Sequence, residues 1–422
     1  MYGLKFTLFL VAMLLMPHSI VHADQGLSLQ SAQEIALLRD AVGKSYKQKS
    51  LALNEQAKAV DTWPDPRLKL GAQGVPVDSF DLQQEPMTQI VLGYQQMLPR
   101  GNSNELTAHS ISAMSRMQLA KSQQRAREVL MKVRQAWLDV VLYQKSIKII
   151  EANRHLFVKM LDISESFYAA GRQQQQDVVQ AQLEISLVDD LLEQMHSNLI
   201  VSHANLAKWV GVENLQDGVE FKEADLQLYP LPNANSLNSA LEKNPELMAV
   251  SEKIISQRAK LHIADEKYNP QWGFDINYGL RSGDNPDGSE RADFLTAMVT
   301  LDLPLFTENK QDRSLLSEKL RLQAVRYDQI DVNRMLTMKL QQVIGRLNKL
   351  QARHTLYTNK VLPQARQNAE VSLKGYQSDV VSFFTLTRAR ITELNTRLAN
   401  LRIKVDYNKT YAELKYLIGE KS

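Results

Sequence analysis

The sequence predicts a mainly helical chain with a small amount of antiparallel β-structure, in which one order of elements is used twice. Three observations lead there. Glycine is scarce, with 17 residues in 422 against a usual share of about 7%, which disfavours a turn-rich all-β chain. Ser28-Leu29-Gln30-Ser31-Ala32 returns as Ser236-Leu237-Asn238-Ser239-Ala240, Tyr168 as Tyr376, and Leu206 to Gly211 as Leu414 to Gly419, all at one offset of 208 positions. Three anchors near the start, middle and end of a unit with a single offset indicate a tandem duplication. Finally, Asn104 to about Tyr168 contains no proline; as a helix it would reach roughly 95 Å, far beyond a globular helix.

Composition removes several classes of function. With no cysteine, disulfide frameworks, thiolate metal sites and cysteine nucleophiles are excluded. A net charge of +3 from 50 basic and 47 acidic residues gives no electrostatic ground for a nucleic-acid partner. At the N-terminus Lys5 precedes an apolar run from Phe6 to Met16, and Val21-His22-Ala23 ends in a small residue. This reads as a signal peptide over 1–23, because the run is too short to span about 30 Å of hydrocarbon as a helix.

The first repeat then covers 24–211 and the second 236–422, with a linker at 212–235 that contains Pro230 and Pro232 and keeps no period. Each repeat opens with a short helix, Leu27 to about Val60 and Ser236 to about Lys267. Trp63-Pro64-Asp65-Pro66 and Asn269-Pro270 stop them, since proline removes the donor that a continuing helix needs.

Two strand-length segments follow in each repeat, at about 66–75 and 88–98 and at about 272–281 and 294–303. Phe274, Ile276, Tyr278 and Leu280 alternate with Asp275, Asn277, Gly279 and Arg281, and Leu295, Ala297, Val299 and Leu301 alternate with Thr296, Met298 and Thr300. Leu68, Leu70, Ile90, Leu92 and Tyr94 keep the same period less cleanly. Such alternation fits a half-buried sheet in a soluble domain. It fits equally a transmembrane barrel, which satisfies every backbone donor by closing; four strands cannot close one, so several chains would share a ring.

Long helices come next. Leu130, Val133, Trp137, Val140 and Ile147 form one narrow apolar stripe, and Ile391, Leu394, Leu398, Leu401 and Val405 form another. Narrow seams interrupted by polar residues suit helices packed side by side along a wet surface. Pro363 is expected to kink the second long helix about one and a half turns before its reversal. The reversals lie at Tyr168-Ala169-Ala170-Gly171 and Tyr376-Gln377-Ser378-Asp379, where Gly171 and Asp379 suit a left-handed backbone. Returning helices are expected from about Asp177 to Val210 and from about Ser382 to Ile418.

At this point the chain resembles the TolC family of outer-membrane efflux proteins. The resemblance is carried by Pro64-Asp65-Pro66, Met97-Leu98-Pro99, Leu303-Pro304-Leu305-Phe306 and the reversal from Tyr168 to Ala181. It implies a homotrimer in the outer membrane with a periplasmic extension: four strands per chain complete a twelve-stranded barrel, and the helical hairpins form an α-barrel whose tip can close. It also implies a periplasmic adaptor and an inner-membrane pump as partners. Pro64-Asp65-Pro66 and Gly74-Val75-Pro76 are similar to segments of the outer-membrane components of heavy-metal pumps of the resistance-nodulation-division type. A periplasmic adaptor or structural protein built on helical hairpins is the competing reading; it would carry one hairpin in a β-domain rather than two hairpins and two strand pairs.

No Gly-rich phosphate loop, His-Glu-x-x-His or Gly-x-Ser-x-Gly occurs, so no enzyme and no cofactor are expected. Met114/Met117, Met335/Met338 and His196/His203 have helical spacing, which is the ordinary signature of packing or solvated positions rather than a metal site. The resemblance places the periplasmic tip at Tyr168, Gly171, Asp177, Tyr376, Asp379 and Arg388. Asp177, about 1.7 turns into its helix, would form a carboxylate ring in three copies, or else would only complement the helix dipole. Its counterparts Thr385 and, one turn on, Arg388 depart from the acidic pattern. Ile276, Tyr278, Val299 and Leu301 are expected to face lipid, with Asn277, Arg281 and Thr300 facing the lumen.

Overall fold

The structure, a computed structural model, describes residues 27–215, 219–221 and 226–419. The expected signal peptide lies outside the described residues. The first repeat runs α1 (Leu29–Arg39), α2 (Ala41–Val60), β1 (Arg67–Gln73), β2 (Gln89–Met97), α3 (Ser103–Ala169) and α4 (Gln175–Val210). The second runs α5 (Ala234–Glu242), α6 (Pro245–Glu266), β3 (Gln271–Leu280), β4 (Phe294–Asp302), α7 (Gln311–Leu356), α8 (Leu362–Gln377) and α9 (Phe383–Ile418). At 67 residues α3 is about 100 Å long.

Two expectations need correction. The opening helix of each repeat is two helices, not one. Asp40 leaves helical geometry, accepts the Gly43 N–H with its carboxylate and so starts α2. It is held there by Arg125 of α3, whose Nε and Nη2 both reach its carboxylate. In the second repeat Asn244 caps α6, with Pro245 following it, and the Asn244 amide also donates to the Leu417 carbonyl at the end of α9.

Pro363 also acts elsewhere than expected. Lacking an N–H, it breaks the i to i−4 ladder, and the chain widens into a π-turn at Tyr357–Val361 immediately before α8. About four turns of α8, not one and a half, then separate Pro363 from the reversal.

The core lies in three places along the helical wall. Trp137, Val133 and Val140 of α3 pack with Ala32 and Ala36 of α1 and with Leu206 and Val210 of α4. Leu336, Leu340, Val343 and Leu347 of α7 pack with Tyr407, Tyr411 and Leu414 of α9 and with Leu237 and Leu241 of α5. A third cluster surrounds Tyr376 near the reversals. The connecting segment is seated on this wall: Phe221 stacks on Trp137 with centroids 6.1 Å apart, and the Tyr407 hydroxyl donates to the Tyr229 carbonyl at 2.5 Å.

Both reversals use a left-handed residue, Gly171 at φ 69° and Asp379 at φ 65°. A Cβ at Gly171 would meet nothing within 4 Å, so Gly171→Ala tests backbone strain alone. It should cost about 1–2 kcal/mol, whereas Gly345→Ala, inside α7, should gain about 0.5–1 kcal/mol. Thermal melting of the two variants should move in opposite directions; equal shifts would contradict the left-handed assignment.

Candidate functional site

The four strands form one antiparallel sheet in the order β1-β2-β3-β4. Its register builds apolar rows across all four: Leu70, Leu92, Tyr278 and Leu295 form one, and Leu68, Tyr94, Ile276 and Ala297 the next. Side chains two apart on a strand share a face, so one side of the sheet is apolar throughout. It is uncovered: Ile276 is 51% exposed, Tyr278 43%, Val299 57% and Leu301 38%.

The other face is polar and crowded. Lys69 of β1 pairs with Asp275 of β3, and the Asn277 amide donates to the same carboxylate. Gly93 leaves room for this, since a Cβ there would lie 2.1 Å from Asn277 Oδ1 and displace that side chain. Thr296 and Thr300 share this face by register with Asn277 and Gly273. Arg281, just past β3, sits 4.1 Å over the Phe294 ring and donates to the Pro86 carbonyl at 3.2 Å, tying the two hairpin loops together. β1 and β4 are the two edges of the sheet.

At the opposite end, the reversals pack on each other. Tyr376 is fully buried, between Phe167 at 5.6 Å and Phe383 at 5.5 Å. Its hydroxyl lies 3.3 Å from Ser164 Oγ and 3.5 Å from Asp177 Oδ2. Burial pushes the Asp177 carboxyl up, and the hydrogen bond from Tyr376 offsets part of that rise. Asp177 is in the first turn of α4, not 1.7 turns into it, because the helix begins at Gln175. Gln173 Nε2 donates to Asp379 Oδ1 at 2.6 Å, so the left-handed residue of one reversal is bonded to the loop of the other. Tyr168 is 48% exposed, and Arg388 is exposed on α9. The signal separating the two tyrosines was in the sequence: the residue before Tyr168 is Phe167, while before Tyr376 it is Gly375.

A charged groove missed by sequence reasoning lies between α3, α7 and α9. Arg346, Lys349, Arg353 and Lys409 line it with Asp139, Asp406 and Glu413. Lys409 pairs with Asp139, and Arg346 with Glu413. Burial raises the Asp406 carboxyl, opposed by Arg402, Lys409 and Arg353. On α3 the groove lies on the side turned away from α1, as the helical phase of residues 135 and 139 against 133 and 137 requires. Among the described residues no group of three or more His, Asp and Glu side chains converges as a metal site. His196 is exposed and His203 half-buried. No helix among the described residues is long and apolar enough to cross a membrane.

This architecture, a two-faced antiparallel sheet joined to paired helices of channel length, is that of the outer-membrane channels. Solved relatives in fold include CusC, described by its channel-forming conformational changes, with a TM-score of 0.79 at 14% identity over 93% of this chain and 92% of that one. The outer-membrane channel OprN gives 0.77 at 15% identity, over 93% and 90%. VceC from Vibrio cholerae gives 0.74 at 15% identity, over 93% and 96%. No curated protein matches the chain significantly. The model of the outer membrane efflux protein family matches residues 236–420, the second repeat, in accord with the family resemblance carried by the motifs.

The raised Asp177 carboxyl has a sign. A group whose folded pKa lies above its unfolded value of about 3.9 contributes stability at acid pH and loses it as pH rises through the folded value. Asp177→Asn keeps the acceptor for Tyr376 without the charge. It should therefore raise the melting temperature at pH 7 and leave it unchanged below the ordinary carboxylate range; the reverse order would mean that the charge stabilises the tip.

Proposed function

We propose that the chain is one third of a passive outer-membrane channel, the exit duct of a tripartite efflux assembly. Three copies close a twelve-stranded barrel from the four strands of each and continue it as a helical tunnel into the periplasm. The partners are a periplasmic adaptor and an inner-membrane pump of the resistance-nodulation-division type. The observation that carries this reading is the continuous uncovered apolar face of a sheet whose other face holds the Lys69–Asp275 pair. In hydrocarbon an unpaired strand edge costs several kcal/mol per backbone group, so β1 and β4 need partners, and copies of the same chain supply them in a closed ring. A periplasmic adaptor, the competing reading, leaves that apolar face unexplained.

Heavy-metal cations enter as cargo through the similarity of Pro64-Asp65-Pro66 and Gly74-Val75-Pro76 to metal-type channels. The charged groove argues that the wall is permissive rather than selective: its cations are largely matched by carboxylates, so cargo choice rests with the pump. At the tip, the duplication makes Thr385 of an adjacent copy the equivalent partner for Tyr168, one turn from Arg388. Tyr168 and Arg388 then belong to the seams between copies, and Tyr376 with Asp177, like Asp379 with Gln173, to the seam within one.

The purified chain should run as a trimer in detergent and fractionate with outer membranes; a stable detergent-free monomer would overturn the reading. Val299→Arg should cost roughly 2–4 kcal/mol and deplete assembled trimer in membranes, while Thr300→Arg costs much less. Equal tolerance would instead favour a soluble sheet. In planar bilayers, Tyr376→Phe combined with Arg388→Ser should raise single-channel conductance, and unchanged conductance would place the constriction elsewhere.

A further inference from the structure

Arg127 and Arg134 stand seven residues apart on α3, which places them two turns apart on one face. With Gln33 of α1 and Met131, Lys415 and Tyr416 they line a cavity of about 20 Å³ between α1, α3 and α9. Among the described residues no Asp or Glu lines it. Arg134 is only 6% exposed, and its Nε, like Nη1 of Arg127, is buried without an acceptor. The neighbouring neutral groups are already engaged: the Gln33 amide donates to the Leu130 carbonyl at 3.4 Å, and Gln124 donates to the Tyr416 hydroxyl at 3.4 Å.

A guanidinium cannot shed its charge, so burial without a carboxylate is strongly unfavourable, and buried arginines are ordinarily paired. Two other arginines of the chain follow that rule. Arg125 is bound by Asp40 at 3.0 Å, and the buried Arg390 by Glu393 at 2.9 Å. The Arg127–Arg134 cavity is where the chain departs from it. Arg127 also rests against the end of α9: a Cβ on Gly419 would lie 2.3 Å from its Nη2. An anion held here would therefore bridge the middle of α3 to the C-terminal end of α9.

We propose that this cavity is an oxyanion site, built for a carboxylate or phosphate group held by the guanidinium forks of Arg127 and Arg134. Planar forks suit planar or tetrahedral oxygens, which accept two parallel N–H bonds. The site lies in the helical wall, remote from both the sheet and the tip. Its existence does not depend on the channel reading.

Inorganic phosphate is the probe, used on the full chain purified in detergent. At equal ionic strength, phosphate in place of chloride should raise the melting temperature of the wild type by a few degrees, and Arg127→Gln and Arg134→Met should each abolish that rise. The proposal is overturned if phosphate leaves the wild-type melting temperature unchanged; Arg134→Met then melts higher than wild type, as relief of a merely unpaired buried charge gives. A phosphate response that survives in both arginine variants overturns it as well.

Discussion

The obligation of every strand to pair its backbone governs this molecule. The apolar rows through Leu70, Leu92, Tyr278 and Leu295 give the sheet a side that water does not favour, and on that side an open edge has nothing to bond to. Four strands are too few to close on themselves, so in the proposed channel the problem passes to assembly. The helices answer to the same arrangement. Each hairpin hands its chain directly to a long helix, α3 after β2 and α7 after β4, so in the proposed trimer a ring closed at the sheet would set the spacing of the helical wall beneath it.

That wall is held by side contacts rather than by a thick core. Its apolar clusters are separated along the helices, and polar ties span the gaps, such as Arg154 on Asp189 between α3 and α4 at 2.5 Å. Exposed pairs of this kind contribute little individually. Most of the cohesion comes from buried residues such as Trp137, Leu347 and Tyr407, each at 0% exposure, where loss of a large side chain costs several kcal/mol. The segment between the repeats adds to this by laying Phe221 and Tyr229 on the wall.

Much of this was legible in the sequence because the signals were local. The 208-residue offset, the alternation in the four strands and the proline-free run into Tyr168 are each read from neighbours along the chain, and Asp379 at a left-handed position followed from its alignment with Gly171. The misses were decided at a distance. Asp40 breaks the first helix because Arg125, 85 positions away, holds its carboxylate. The widening before Pro363 depends on how α7 absorbs a lost donor, which no spacing records. The Arg127–Arg134 cavity exists only once α1, α3 and α9 converge. At the candidate tip, sequence reasoning did not anticipate that two tyrosines aligned by the duplication differ within one chain, one exposed and one enclosed by Phe167 and Phe383.

That inequivalence has a mechanical consequence. A trimer of duplicated chains looks sixfold but repeats only threefold, so its seams come in two alternating kinds. In the proposed trimer, seams within a chain enclose Tyr376 between Phe167 and Phe383 and are stiff; seams between copies have Gly375 and Gln175 at the equivalent positions beside Tyr168 and are the more compliant. Applied strain concentrates in the compliant set. The mouth would then dilate as three rigid petals rather than six, each petal moving as a covalently joined pair of hairpins.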